Sequence, residues 1–235
     1  EKDSNLSFSA ATVLGVIAAF SMANGLLYWP IGLGILLLSG SPNKNRVKIF
    51  VWLVVSALSI GLFFKDWVST GHLDVHYAIT HPLEWMVWIL SFLGAPIMAV
   101  DGVAWIFGLL SFALYVVIIK YALRTGKIAG LLPHLAVSLF ILVTVGAISL
   151  GRIKLGLPQS TVSRYLTMSA WYWASLLSML PLLPPKKNRL SVIYGGLAVM
   201  LLSLTTLGGY LGYKYIHYRT QEAYEKVVAG EPLTD

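Results

Sequence analysis

Two polar stretches hold most of the residues able to do chemistry. The first, Gly71-His-Leu-Asp-Val-His-Tyr-Ala-Ile-Thr-His-Pro82, contains His72, His76 and His81, three of the chain's five histidines. On a helix His72 and His76 would share a face at i, i+4, with Asp74 nearby. That set suits general acid–base work, with Asp74 and His76 as the candidate catalytic pair and His72 and His81 as polar partners. Two histidines and a carboxylate can also bind zinc. The spacing matches no recognised metal motif, however, so neither a metal nor another cofactor is expected. The second stretch, Gly151-Arg-Ile-Lys-Leu-Gly-Leu-Pro-Gln-Ser-Thr-Val-Ser-Arg-Tyr165, brings together Arg152, Lys154, Arg164 and Tyr165. Guanidinium forks, hydroxyls and glycines that let a ligand approach the backbone suit a phosphate or pyrophosphate headgroup. The plainer alternative is that Arg164 and Tyr165 anchor the start of one apolar segment and Arg152 the end of another, with side chains snorkelling to the surface.

Asp101, beside Gly102, is a carboxylate next to long apolar runs and calls for a polar partner, which a basic side chain of the 152–164 stretch would supply. It could equally cap the following helix. His134, just after Pro133, sits in the first turn of an apolar segment, where hydrogen-bonded packing is expected. Gly208-Gly-Tyr-Leu-Gly212 is a small-residue pattern that lets helices approach, and Trp171-Tyr-Trp173 fits an interfacial aromatic belt.

The elements that must position these groups are set by composition. Hydrophobic residues make up 57% of the 235 residues and charged ones 11%, the reverse of a soluble domain's balance. The apolar runs are long and do not alternate, so membrane-spanning helices are expected and outer-membrane strands are not. Seventeen Lys and Arg against ten Asp and Glu leave a net charge of +7. The basic residues fall in short clusters between apolar runs, where they orient helices and meet anionic lipid, so no nucleic-acid partner is expected. The chain has no cysteine, which excludes disulfides and thiolate metal sites. No small-residue cleavage pattern follows the polar opening Glu1 to Ser7, and the whole chain is read as mature sequence.

The predicted fold class is all-α: a polytopic transmembrane helical bundle occupying 1–235 as a single domain. About six spans are expected, near 8–38, 47–64, 102–119, 128–150, 165–183 and 190–213, with a short re-entrant or interfacial segment at 85–100. Outer loops fall at 65–84 and 151–164, and an interfacial helix at 214–229. The first run exceeds the roughly 20 residues a crossing needs. It must therefore tilt, break or fold back, and Gly25 and Pro30 mark where. Orientation follows from the clusters Lys44/Arg46/Lys48, Lys120/Arg124/Lys127 and Lys186/Lys187/Arg189, which share the cytoplasmic side only if 85–100 does not cross. Both termini are then expected outside, and the histidine and arginine stretches share the outer face.

Ser21-Met-Ala-Asn-Gly-Leu-Leu-Tyr-Trp-Pro30, Phe92-Leu-Gly-Ala-Pro96, Gly151-Arg-Ile-Lys-Leu-Gly156 and Ser163-Arg-Tyr165 resemble landmarks in the C-terminal half of a group of longer polytopic proteins of the bacterial inner membrane. Some members of that group are similar to glycosyltransferases that use polyprenyl-linked sugars and to other surface-polysaccharide assembly proteins. The resemblance implies an outer-face cavity, with lipid-phosphate contacts from Arg152, Arg164 and Tyr165. In such transferases an acidic residue of an early outer loop serves as base. That region is unmatched here, which leaves Asp74 or a carboxylate elsewhere.

The leading expectation is a component of envelope glycan assembly that handles a lipid-linked sugar or phosphate, with membrane lipids and a polyprenyl-phosphate-linked sugar as partners. If it is an enzyme, it is a glycosyltransferase-like transferase using a lipid-linked donor. The alternatives are a non-catalytic subunit that scaffolds other membrane proteins, and a transporter or channel.

Overall fold

The computed structural model describes residues 2–38, 45–65, 75–99 and 102–180, with single positions at 210, 221 and 228. These residues form eight α-helices and three short 3-10 turns, with no strand among them. The helices are α1 (Lys2–Ser21), α2 (Tyr28–Leu38), α3 (Arg46–Phe64), α4 (Val75–Thr80), α5 (Pro82–Gly94), α6 (Ala104–Thr125), α7 (Ile128–Arg152) and α8 (Ser163–Met179). Apart from the single positions 210, 221 and 228, the expected span at 190–213 and helix at 214–229 lie outside the described residues, as do the loop residues 66–74.

Three helices are long and apolar enough to cross a membrane: Arg46–Phe64, Ala104–Thr125, and Ile128–Leu155, which runs on from α7 through the following turn. These cover the runs expected at 47–64, 102–119 and 128–150. α6 extends past 119 because Lys120, Tyr121 and Arg124 continue the helix until Gly126, whose left-handed backbone (φ 66°) closes it with a Lys127 N–H to Ala122 carbonyl bond of 3.0 Å. α8 is shorter and rich in Ser, Tyr and Trp, and it turns Ser169, Tyr172 and Ser175 into the interior.

The first apolar run is not one helix. At Met22 the backbone is extended, residues Ala23–Leu27 form a 3-10 turn, and the chain folds back. Gly25 sits so close to the Ala18 carbonyl that any Cβ there would collide with it. The Tyr28 hydroxyl donates to the Ala11 carbonyl at 3.1 Å across 17 residues, a separation of about 25 Å in a continuous helix. Trp52 of α3 closes this unit. It packs on Phe8, Tyr28 and Trp29 and donates its indole N–H to the Trp29 carbonyl at 2.9 Å. Lys48, in the first turn of α3, lies 5.8 Å from the Phe8 ring centre. The opening of α1 and the opening of α3 therefore sit at the same end of the molecule.

α5 and α6 form an antiparallel hairpin in which backbones touch. A Cβ on Gly94 would meet the Ala104 carbonyl, and one on Gly108 would meet the Leu90 carbonyl. α5 has 13 residues, about 20 Å of helix, which is too short to cross a hydrocarbon layer of about 30 Å. Its start is set by Pro82, which cannot continue α4 but suits the first turn of a new helix. Near its end Ile97 N–H bonds the Gly94 carbonyl instead of reaching back to Leu93, and the Leu93 carbonyl takes the Trp173 indole N–H of α8 at 2.8 Å. α8 pairs antiparallel with α7, with Ser138 against Ser175 and His134 against Ser178. The core of the four helices α5–α8 contains Trp88, Phe92, Ile118, Val145, Tyr172 and Leu176.

Candidate functional site

The two stretches singled out in the sequence meet where α4 and α5 join. The Trp85 indole N–H donates at 2.6 Å to the Ser149 hydroxyl, which passes its own proton to the Gly146 carbonyl at 2.6 Å. This ties the start of α5 to the last turn of α7. Beyond α7 come two 3-10 turns, Ile153–Leu155 and Leu157–Ser160, separated by Gly156 at φ 87°. They lie against α5, with Ile153 buried between Arg152 and Lys154.

Four side chains then cluster on the surface. The Tyr77 hydroxyl donates to Glu84 Oε2 at 2.9 Å. The His81 ring stacks on Tyr77 with centroids 4.2 Å apart and planes 14° apart, while its Nδ1 lies 2.9 Å from Thr80 Oγ1. The Lys154 ammonium sits over the other aromatic partner, 5.7 Å from the Tyr77 ring centre. Tyr77 is held above its ordinary pKa of 10.0, first because its proton bridges to Glu84, then by burial and the Glu84 charge, with Lys154 opposing. A phenolate there would face a carboxylate.

Arg152 closes α7. It is half-buried and has neither a hydrogen-bond nor an ion-pair partner among the described residues. An uncompensated guanidinium in that position is free to hold an anion through bidentate N–H donors.

Of the other expected site residues, His76 is exposed on α4. His72, Asp74 and Asp101 lie outside the described residues. Arg164 falls in the first turn of α8. Tyr165 is buried, its ring packed on Phe92 at 5.2 Å, so it belongs to the hydrophobic core of the bundle. Among the described residues no three His, Asp or Glu side chains converge to hold a metal ion.

Sequence reasoning passed over Tyr77, Glu84, Trp85 and Ser149. The available signal was Glu84, the one carboxylate between Asp74 and Asp101, seven residues after Tyr77 and across Pro82 from it. Compared with family models, curated protein sequences and solved structures, the chain matches none.

Proposed function

We propose that the chain is a polytopic protein of the bacterial inner membrane that holds a lipid-linked sugar phosphate at the outer leaflet, as part of envelope glycan assembly. The observation that carries this is Arg152: a half-buried guanidinium without a partner among the described residues, two positions in sequence from Lys154, which itself lies over the Tyr77 ring of the Tyr77–Glu84 pair. Three helices of spanning length and composition supply the membrane setting. The phosphate lies on Arg152 and Lys154. Sugar hydroxyls reach Glu84 and the stacked faces of Tyr77 and His81, an aromatic and carboxylate pairing suited to carbohydrate. His76 and Asp74, from the same polar stretch, are the acid–base candidates, and Arg164 at the start of α8 is a third cation for the headgroup.

The test is mass spectrometry of lipid co-purified with wild type and with Arg152→Ala, Lys154→Ala and Arg164→Ala, alongside the glycan profile of cells carrying each. Loss of a phosphate-bearing lipid from Arg152→Ala at unchanged folded yield supports the assignment. Retention of that lipid together with normal glycan in all three variants rules it out.

One observation favours a second reading, a structural subunit of a larger complex. Only 17% of the apolar window of α3 is buried, against 39% for α7, and Val47, Phe50, Leu58 and Leu62 are exposed along it. Stoichiometric co-purification of another membrane protein, with Arg152 dispensable, distinguishes this case.

A further inference from the structure

The short elements that carry the polar cluster also carry large apolar side chains that the other described residues leave uncovered. Val75 and Ile79, four apart, share a face of α4, and Leu83 and Met86, three apart, share a face of α5. All four are exposed, Ile79 by 71% and Leu83 by 76%. Leu155, next to Lys154 in the turn after α7, is exposed as well. The frame beneath them is fixed. The His81 N–H bonds the Tyr77 carbonyl at 2.9 Å and the Trp85 N–H bonds the His81 carbonyl at 3.1 Å, so α4 passes into α5 without a loop. Ala78 buries the inner side of α4, and Trp85 ties the start of α5 to Ser149. Grouped apolar side chains held out on a rigid frame mark a surface that meets something other than water.

Two observations select lipid as that partner. The first is position. Ser149 lies in the last turn of α7, which is long and apolar enough to cross a membrane, so a bilayer crossed by α7 has its surface near the start of α5. On α6, a second helix of spanning length, Leu109 and Leu110 are exposed next to the contact of Gly108 with the Leu90 carbonyl, so the apolar surface of a spanning helix begins beside α5. The second is charge. Arg152 and Lys154 come just beyond Ser149 in the sequence, cations suited to anionic headgroups, while the carboxylate of Glu84 is taken up by the Tyr77 hydroxyl. Tyr77 and Trp85 are aromatics of the kind that settle at headgroup depth.

We propose that α4 and the start of α5 form an interfacial foot. Val75, Ile79, Leu83 and Met86 sink among the acyl chains of phospholipid in the leaflet where α7 ends, and Tyr77, His81, Glu84 and Lys154 stay at headgroup depth. A short helix lying in the interface binds through its buried apolar area and through attraction of its cations to anionic lipid, and both are present here. The foot occupies part of the sequence expected as an outer loop. It needs a bilayer but no lipid-linked sugar, so it stands or falls apart from the headgroup site.

Nitroxide labels on single cysteines test this in the full chain, in nanodiscs of phosphatidylglycerol and phosphatidylcholine. Oxygen concentrates in hydrocarbon, and a nickel chelate stays in water. Ile79→Cys, Leu83→Cys and the reference His76→Cys all fall at exposed positions, where a label displaces no packed side chain. The ratio of oxygen to nickel collisions should be several-fold higher at Ile79→Cys and Leu83→Cys than at His76→Cys. A ratio at either site equal to that of His76→Cys puts the face in water and overturns the proposal. Weak collision with both reagents at either site means that a second copy or another protein covers the face, which overturns it equally.

Discussion

Tyr77 carries its proton in a hydrogen bond to Glu84 while Lys154 sits over its ring. The phenol therefore reports directly on the carboxylate. Glu84→Gln removes the acceptor charge and the main cause of the raised pKa, so the Tyr77 ionisation should fall back toward 10.0. Tyrosine-Cζ NMR titration of wild type and variant measures this. An unchanged Tyr77 curve would mean that the two side chains do not meet in solution. The sign for stability follows from the raised folded value. The contribution is complete below the unfolded pKa near 10 and is lost as pH climbs through the folded one, so it is an alkaline effect with no consequence near neutrality. At this scale Lys154 was within reach of the sequence, because it lies in the basic 151–165 stretch and comes to rest over the Tyr77 ring. Tyr77, Glu84 and Trp85 were not. Their roles depend on Trp85 meeting Ser149 across 64 residues, and no local pattern encodes that meeting.

Among the elements, the α5–α6 hairpin is the most exacting, because glycine is required by contact rather than by backbone angle. Gly108 lies against the Leu90 carbonyl, whereas a Cβ on Gly146 of α7 meets nothing within 4 Å. Gly108→Ala should cost about 1–3 kcal/mol through forced separation of the helices. Gly146→Ala should be neutral or stabilising by up to about 1 kcal/mol through helix propensity. Unfolding by steric trapping or denaturant in bicelles compares the two, and equal effects would contradict the close approach. The three long apolar helices were readable from run length alone, since a spanning helix needs little besides apolar residues and two polar ends. The start of α5 was less so. Pro82 signals it, yet the polar character of 75–84 suggested loop, and α4 forms there because its residues pack back on α5.

For the whole molecule, α7 has 25 residues, about 37 Å of helix, so a bilayer crossed by α7 would have Gly126 and Lys154 on opposite sides. The chain contains no cysteine, so single cysteines can be introduced without background. Cysteines at Glu84 and Lys154 should react with an impermeant maleimide from outside, and one at Gly126 only after permeabilisation. Outside labelling at Gly126 would refute this arrangement. The expectation of an external amino terminus assumed that residues 8–38 cross once, whereas the chain breaks and folds back at Met22. The fold-back at Met22 and the contact of Phe8 with Lys48 place that end beside the basic cluster that begins α3. A cysteine at Asn5 should therefore behave like one at Gly126. The consequence concerns how the protein is made. Because α1 folds back at Met22 and α3 opens beside Phe8, a bilayer entered by this hairpin would leave both of its ends on one side. Such a hairpin can enter from one face alone, with Lys48 at its mouth to hold it there.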